Sequence, residues 1–203
     1  MTDTSQTIYV VDDDEAMRDS LTWLLEGEGY QVACFDSAET FLKAYRRNMR
    51  GCLVLDVRMP GMTGTELQQA LARAGDAIPI IFITAHGDIP MAVMKMKEGA
   101  AEFLPKPFRD EDLLGAIDTA LARARAARKE HGEVDEIRRK YASLTAREKE
   151  VIAYVIKGAL NKQAAAKLGV TEMTVKVHRH NVMRKMGAAS IPDLVRMMER
   201  LTP

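Results

Sequence analysis

The sequence predicts two domains of different class. An α/β domain on a five-stranded, parallel, doubly wound sheet comes first, and a helical linker joins it to an all-α domain. Three observations carry this. Through about residue 120, five short apolar runs alternate with amphipathic stretches. From about residue 144 the pattern is helical throughout, with no strand-like run. The formal net charge of zero also conceals a split: residues 1–120 hold 20 Asp/Glu against 11 Lys/Arg, and residues 121–203 hold 9 against 18. Such asymmetry marks separate domains and gives the second an affinity for polyanions.

The strand-like runs are TIYVVD (7–12), YQVACF (30–35), CLVLD (52–56), IPIIFIT (78–84) and AEFLPK (101–106). Runs so continuously apolar need cover on both faces, which a parallel sheet with helical crossovers provides. Helical periodicity fills 14–28, 37–47, 63–74, 88–98 and 109–127. Thr63 and Glu66 read as a capping box, and Asp88 precedes Pro90 as at a helix start. A fivefold repeat of this size is a flavodoxin-like fold. Residues 121–141, LARARAARKEHGEVDEIRRKY, are charged and helix-favouring, interrupted only by Gly132; they read as a semi-rigid helical linker. Their apolar positions are too sparse for a heptad. Beyond it, Thr145 and Glu148 form a second capping box. A short helix over 161–168, a turn at Gly169-Val170, a longer helix capped by Thr171 and a last helix over 190–200 follow. The domain boundaries expected are 1–122, 123–141 and 142–203.

Composition excludes several classes. No apolar run approaches the roughly 18 residues that span a bilayer, and the polar start MTDTSQ lacks the basic stretch of a signal peptide. A cytoplasmic protein with no membrane partner is expected. Cys34 and Cys52 sit in apolar strand runs without metal-type spacing and read as reduced core residues. His178 and His180, two apart on a helix, diverge by about 200° and cannot chelate one ion. Met91, Met94 and Met96 read as core or interface filler.

In a doubly wound sheet the C-terminal strand ends share one edge, where ligands bind. Those ends carry Asp12 and Asp13 from the first strand, Asp56 from the third, Thr84 from the fourth and Lys106 from the fifth. Three carboxylates together repel unless a cation joins them, and oxygen ligands with room for water suit Mg²⁺ (or Mn²⁺). A lysine and a hydroxyl opposite the metal are what an incoming phosphoryl group needs. Asp56 therefore reads as a nucleophile that accepts a phosphoryl group. Phosphatases of the haloacid-dehalogenase type also use an Asp nucleophile after a strand, but carry a second Asp two residues on; here that residue is Arg58. No Gly-rich phosphate loop is present either. An enzyme acting on other molecules is therefore not expected; at most the chain carries out its own phosphotransfer and dephosphorylation.

The motifs VVDDDE, LVLDVRMPGMTG, FITAHGD and EFLPKPF resemble the response-regulator receiver domain of two-component signalling over residues 5–125. The resemblance implies Asp56 as phosphoacceptor, Asp13 as the main Mg²⁺ carboxylate with Asp12 beside it, and the backbone carbonyl of Arg58 as a further ligand. It implies that Thr84 and Lys106 hold phosphoryl oxygens and that Phe103 is a switch aromatic. It also implies a cis Lys106-Pro107 bond.

The stretch NKQAAAKLGVTEMTVKVHRHNVMRKM has helix-turn-helix proportions. On its second helix Val175, Val182 and Met186 make a core stripe. Thr174, Lys176, Val177, His180, Asn181 and Arg184 lie off that stripe and offer hydroxyl, methyl, amide and basic groups to a major groove. The segments LTAREKEVI and KGALNKQAAAKLGVTEMTVKVHRHNVMRKMG resemble the LuxR/FixJ-type DNA-binding domain over 143–200. That implies base or phosphate contacts from Lys176, Val177 and His180, with Thr174 and Arg179 nearby, and backbone contacts from Asn161 and Lys162. Gln163 and Ala164 depart from the acidic residue and Ile frequent in the family. The whole chain resembles the FixJ branch of the NarL/FixJ response regulators, nearest to those of aromatic-hydrocarbon degradation. The resemblance implies a sensor histidine kinase, a phosphorylation-dependent homodimer, promoter DNA and RNA polymerase as partners, with activation the usual outcome. The alternative is a signalling module whose helical tail binds a protein.

Overall fold

The computed structural model describes residues 6–47, 49–75, 78–85 and 102–201. The chain divides into units over 1–126 and 127–203. In the first, β1 (Thr7–Val11), β2 (Gln31–Phe35), β3 (Gly51–Asp56), β4 (Ile80–Thr84) and β5 (Glu102–Pro105) form one sheet in the order β2-β1-β3-β4-β5. Every neighbouring pair is parallel. Alternate residues of the central strands face opposite ways, as the pleat requires. Tyr9, Val11, Leu53, Leu55 and Phe82 pack with Phe41, Leu67 and Leu71 of α2 (Ala38–Ala44) and α3 (Gly64–Arg73). Ile8, Val10, Val54, Ile81 and Ile83 pack with Leu21 and Leu25 of α1 (Glu15–Gly27) and with Leu113 and Ile117 of α4 (Asp110–Ala142). Helices thus cover both faces, and strand order reverses between β1 and β3, which places a crevice at their C-terminal ends.

Three expectations need amendment. The second helix stops at Ala44 because Tyr45 turns to an extended ψ of 137°; its ring packs against Phe41 with centroids 6.1 Å apart. Cys52 is buried, but Cys34 is exposed, because β2 is an edge strand; both thiols are free. Finally, α4 runs 33 residues without a break, straight through Gly132. One glycine costs a helix only about 1 kcal/mol, too little to end one with favourable residues on both sides. The helix expected over 88–98, with Asp88, Pro90, Met91, Met94 and Met96, lies outside the described residues.

The second unit holds α5 (Ala146–Val155), α6 (Asn161–Leu168), α7 (Glu172–Met186) and α8 (Ile191–Glu199). Its core gathers Ile137, Leu144, Val151, Ile152, Val155, Leu194 and the expected stripe Val175, Val182 and Met186. Gly169, left-handed at φ 65°, ends α6, and Thr171 opens α7 by accepting the Thr174 N–H. Among the described residues no helix is long and apolar enough to cross a membrane.

Candidate functional site

The strand ends converge as the sequence requires. Asp12 follows β1 and is fully buried; Asp13, next to it, is exposed; Asp56 ends β3, 8% exposed. One oxygen from each of the three lies within 4.8 Å of the others, and no other such group occurs among the described residues. Lys106, after β5, donates from Nζ to Asp12 Oδ2 and to Asp56 Oδ2, both at 2.8 Å. The backbone fixes what remains. The Asp14 N–H donates to Asp12 Oδ1 at 2.9 Å, and Asp14 in turn caps α1 by accepting from Ala16 N–H. The Arg58 N–H donates to Asp56 Oδ1 at 3.1 Å. The Arg18 guanidinium donates to the Asp12 carbonyl at 2.8 Å.

Thr84 ends β4 with 1% exposure, and its Oγ1 donates to the Ala85 carbonyl at 3.3 Å. Its carbonyl accepts from the Lys106 N–H, which ties β4 to β5 beside the carboxylates. The Lys106-Pro107 bond is cis. Phe103 is half-buried on β5, its ring 6.3 Å from that of Phe82.

Burial pushes the Asp12 carboxyl up, with the Lys106 hydrogen bond, the Asp14 N–H and the Lys106 charge opposing and the Asp56 charge reinforcing. Burial lowers the Lys106 ammonium, yet its bonds to Asp12 and Asp56 outweigh this and leave it above an ordinary lysine. Lys106 bonds two of the three clustered carboxylates, and a divalent cation fits the donor set: oxygen-only, clustered and partly open to water through Asp13. Gly64, a residue that sequence reasoning passed over, holds this edge together. A Cβ there would lie 2.1 Å from the Asp56 carbonyl oxygen, so only glycine lets the start of α3 approach β3. The signal was the TG of the LVLDVRMPGMTG motif.

In the second unit, Lys176, Val177, His180 and Arg184 are exposed on α7 and Lys162 is exposed on α6. Asn161, Thr174 and Arg179 are half-buried and internally engaged. Arg179 Nη1 donates to Asn161 Oδ1 at 3.1 Å, and Thr174 Oγ1 lies 2.8 Å from Thr171 Oγ1. Sequence reasoning also left Glu148 as a cap alone. It is 3% exposed, and its Oε2 accepts both the Thr145 N–H at 2.8 Å and the Lys185 Nζ at 2.7 Å. This bond fastens the start of α5 to the last turn of α7.

Residues 8–118 match the family model of the response regulator receiver domain, and residues 142–198 that of the bacterial regulatory proteins of the luxR family. The chain is 51% identical over 201 residues to the response regulator protein TodT of Pseudomonas putida strain F1, covering 99% of this chain and 88% of that one. It is 44% identical over 193 residues to the transcriptional regulatory protein FixJ of Bradyrhizobium diazoefficiens, covering 95% and 94%. Among solved structures, the response regulator StyR superposes with a TM-score of 0.89 at 49% identity, covering 97% of this chain and 99% of StyR. Full-length FixJ from B. japonicum superposes at 0.60 and 43% identity, covering 98% of each.

Proposed function

The chain belongs to the response regulators of the NarL/FixJ type, a receiver domain followed by a LuxR-type DNA-binding domain, and from that membership we propose that it is a phosphorylation-controlled transcription factor. The domains run 1–122 and 142–203, with 123–141 as linker. The observation that carries the proposal is Lys106 Nζ at 2.8 Å from both Asp12 and Asp56, beside Asp13, on one sheet edge.

A sensor histidine kinase presents phosphohistidine. An Asp56 carboxylate oxygen attacks phosphorus, the P–N bond breaks as the P–O bond forms, and the imidazole leaves with the electron pair and takes up a proton. Asp12, Asp13, Asp56 and the Arg58 carbonyl would hold Mg²⁺ (or Mn²⁺), which when bound would neutralise the phosphoryl oxygens. Lys106 exchanges its carboxylate bonds for one phosphoryl oxygen, and the Thr84 hydroxyl turns to another. The product adds about −1.5 to −2 charges. Phe103 follows Thr84, and the altered receiver surface pairs two copies in the cytoplasm. Two α7 helices then meet promoter half-sites about one helical turn apart. Asn161, Lys162, Thr174, Lys176, Val177, Arg179, His180 and Arg184 form the interface, through which RNA polymerase is recruited and transcription activated.

The test is selection of genomic DNA fragments by the protein with Mg²⁺ and a small phosphodonor, beside Asp56→Ala. Fragments enriched only by the phosphorylatable protein support the switch; equal enrichment by both removes it. Enrichment by neither moves the basic unit toward a protein partner. On a selected fragment, Lys176→Ala is expected to weaken binding about tenfold and to lower the log–log salt slope by about one. An unchanged slope takes Lys176 off the phosphates.

A further inference from the structure

Four large apolar side chains are exposed among the described residues: Trp23, Leu160, Met173 and Val177. Two of them, Met173 at 66% and Val177 at 52%, stand one turn apart on α7. With His180 and Arg184 they fall at i, i+4, i+7 and i+11, one continuous stripe. The stripe lies opposite the buried line of Val175, Val182 and Met186, so the core holds α7 with Met173 and Val177 facing out. Its N-terminal half is apolar and its C-terminal half polar and basic.

That division selects an occupant. The helix carries one acid, Glu172, against Lys176, Arg179, Arg184 and Lys185, within a segment rich in basic residues. A second copy of the same face brings like charge, whereas a polyanion is attracted. The polyanion must also offer something apolar beneath Met173 and Val177. The major groove of DNA has one such group, the 5-methyl of thymine, and recognition helices meet base edges with their N-terminal residues. We infer that Met173, together with Val177, is a specificity-determining pair that packs on a thymine 5-methyl group in each half-site. This rests on the DNA-binding reading above and adds the base and atom read. The thioether stem of Met173, unbranched and polarisable, adapts its shape to the methyl. His180, Arg184 and Lys176 meanwhile reach phosphates or polar base edges.

The experiment uses the full chain and a duplex it selects from genomic fragments, with each thymine replaced in turn by deoxyuridine, which removes only the methyl. The inference expects one thymine per half-site whose replacement weakens binding about fourfold, the value of one buried methyl. Met173→Ala is expected to bind the thymine and deoxyuridine duplexes alike at that position, and Met173→Leu to keep the discrimination. Circular dichroism of both variants reports the fold, which an exposed side chain leaves intact. Wild-type protein tolerant of deoxyuridine everywhere overturns the inference, and so does discrimination that survives in Met173→Ala. Dissociation of a DNA-free dimer by Met173→Ala, seen by sedimentation, overturns it in favour of self-association. Failure to select any fragment sinks the DNA-binding reading itself and is told apart by occurring before any thymine is changed.

Discussion

Asp12 in the receiver and Glu148 in the output domain are both buried carboxylates with a lysine at hydrogen-bond distance, 2.8 Å and 2.7 Å. Their acidities nevertheless move in opposite directions. Burial dominates at Asp12 and makes it a weaker acid than an ordinary aspartate. The Lys185 bond dominates at Glu148, the Thr145 backbone N–H adds to it, and the carboxyl falls below the ordinary value of 4.5. Lys106 is divided between Asp12 and Asp56 with Asp13 alongside, whereas Lys185 serves Glu148 with a backbone donor on the same oxygen. One cluster gathers three carboxylates around a shared lysine, a donor set that suits a divalent cation. The other is complete and only fastens helices together.

The largest effect expected of this difference is all-or-none. Asp56→Asn should abolish phosphoryl uptake from any donor while leaving the circular dichroism unchanged; uptake that survives would place the acceptor elsewhere. The next is energetic and restricted to one region. Mg²⁺ at about 100 times its Kd should stabilise the receiver by about 2.7 kcal/mol. Hydrogen exchange should slow at the C-terminal ends of β1 and β3 and stay unchanged across 145–186. Slowing in both regions, or in neither, would end the contrast. A smaller effect tests the packing behind the acidic edge. Gly64→Ala forces a methyl against the Asp56 carbonyl, at an expected cost of about 2 kcal/mol and slower phosphoryl uptake. A variant as stable and as fast as the parent would show that α3 can withdraw freely.

The two regions also differ in how far the sequence discloses them. The strands were legible because alternation of apolar runs and amphipathic stretches leaves few other folds, and strand order then brings Asp12, Asp56, Thr84 and Lys106 to one edge. The recognition helix was legible from its own cap, stripe and turn, all within about 26 residues. What remained hidden depends on distances no pattern encodes. Gly64 is one of three glycines near the motif, and only its approach to Asp56 distinguishes it. Cys34 is apolar by type, yet the edge position of β2 exposes it. The continuity of α4 through Gly132 was obscured because a glycine reads as a break, while residues at both ends anchor the helix: Leu113 and Ile117 in one core, Ile137 in the other. The Glu148 bond to Lys185 spans 37 positions and leaves no trace in spacing.

That bond supplies the smallest prediction and the sharpest separation of the two carboxylates. Because Glu148 is more acidic folded than unfolded, its stabilisation is present in full above 4.5. It is lost as pH falls through the folded value, where the native state too takes up the proton. Glu148→Gln keeps the size and an acceptor but removes the charge, so it should cost about 1 kcal/mol at pH 7, the scale of one charge-assisted hydrogen bond lost. The difference between parent and variant should shrink in acid and approach zero well below pH 4.5. Chemical denaturation of parent and variant across that range, followed by helix content, measures it. Asp12 gives the opposite sign: burial weakens it as an acid and makes the folded receiver costlier to hold ionised, so stability there falls as pH rises past its ordinary 3.8 toward the folded value. A Glu148→Gln difference that stays constant with pH would mean that the Glu148 charge contributes nothing to stability, and that Lys185 packs against α5 without needing it.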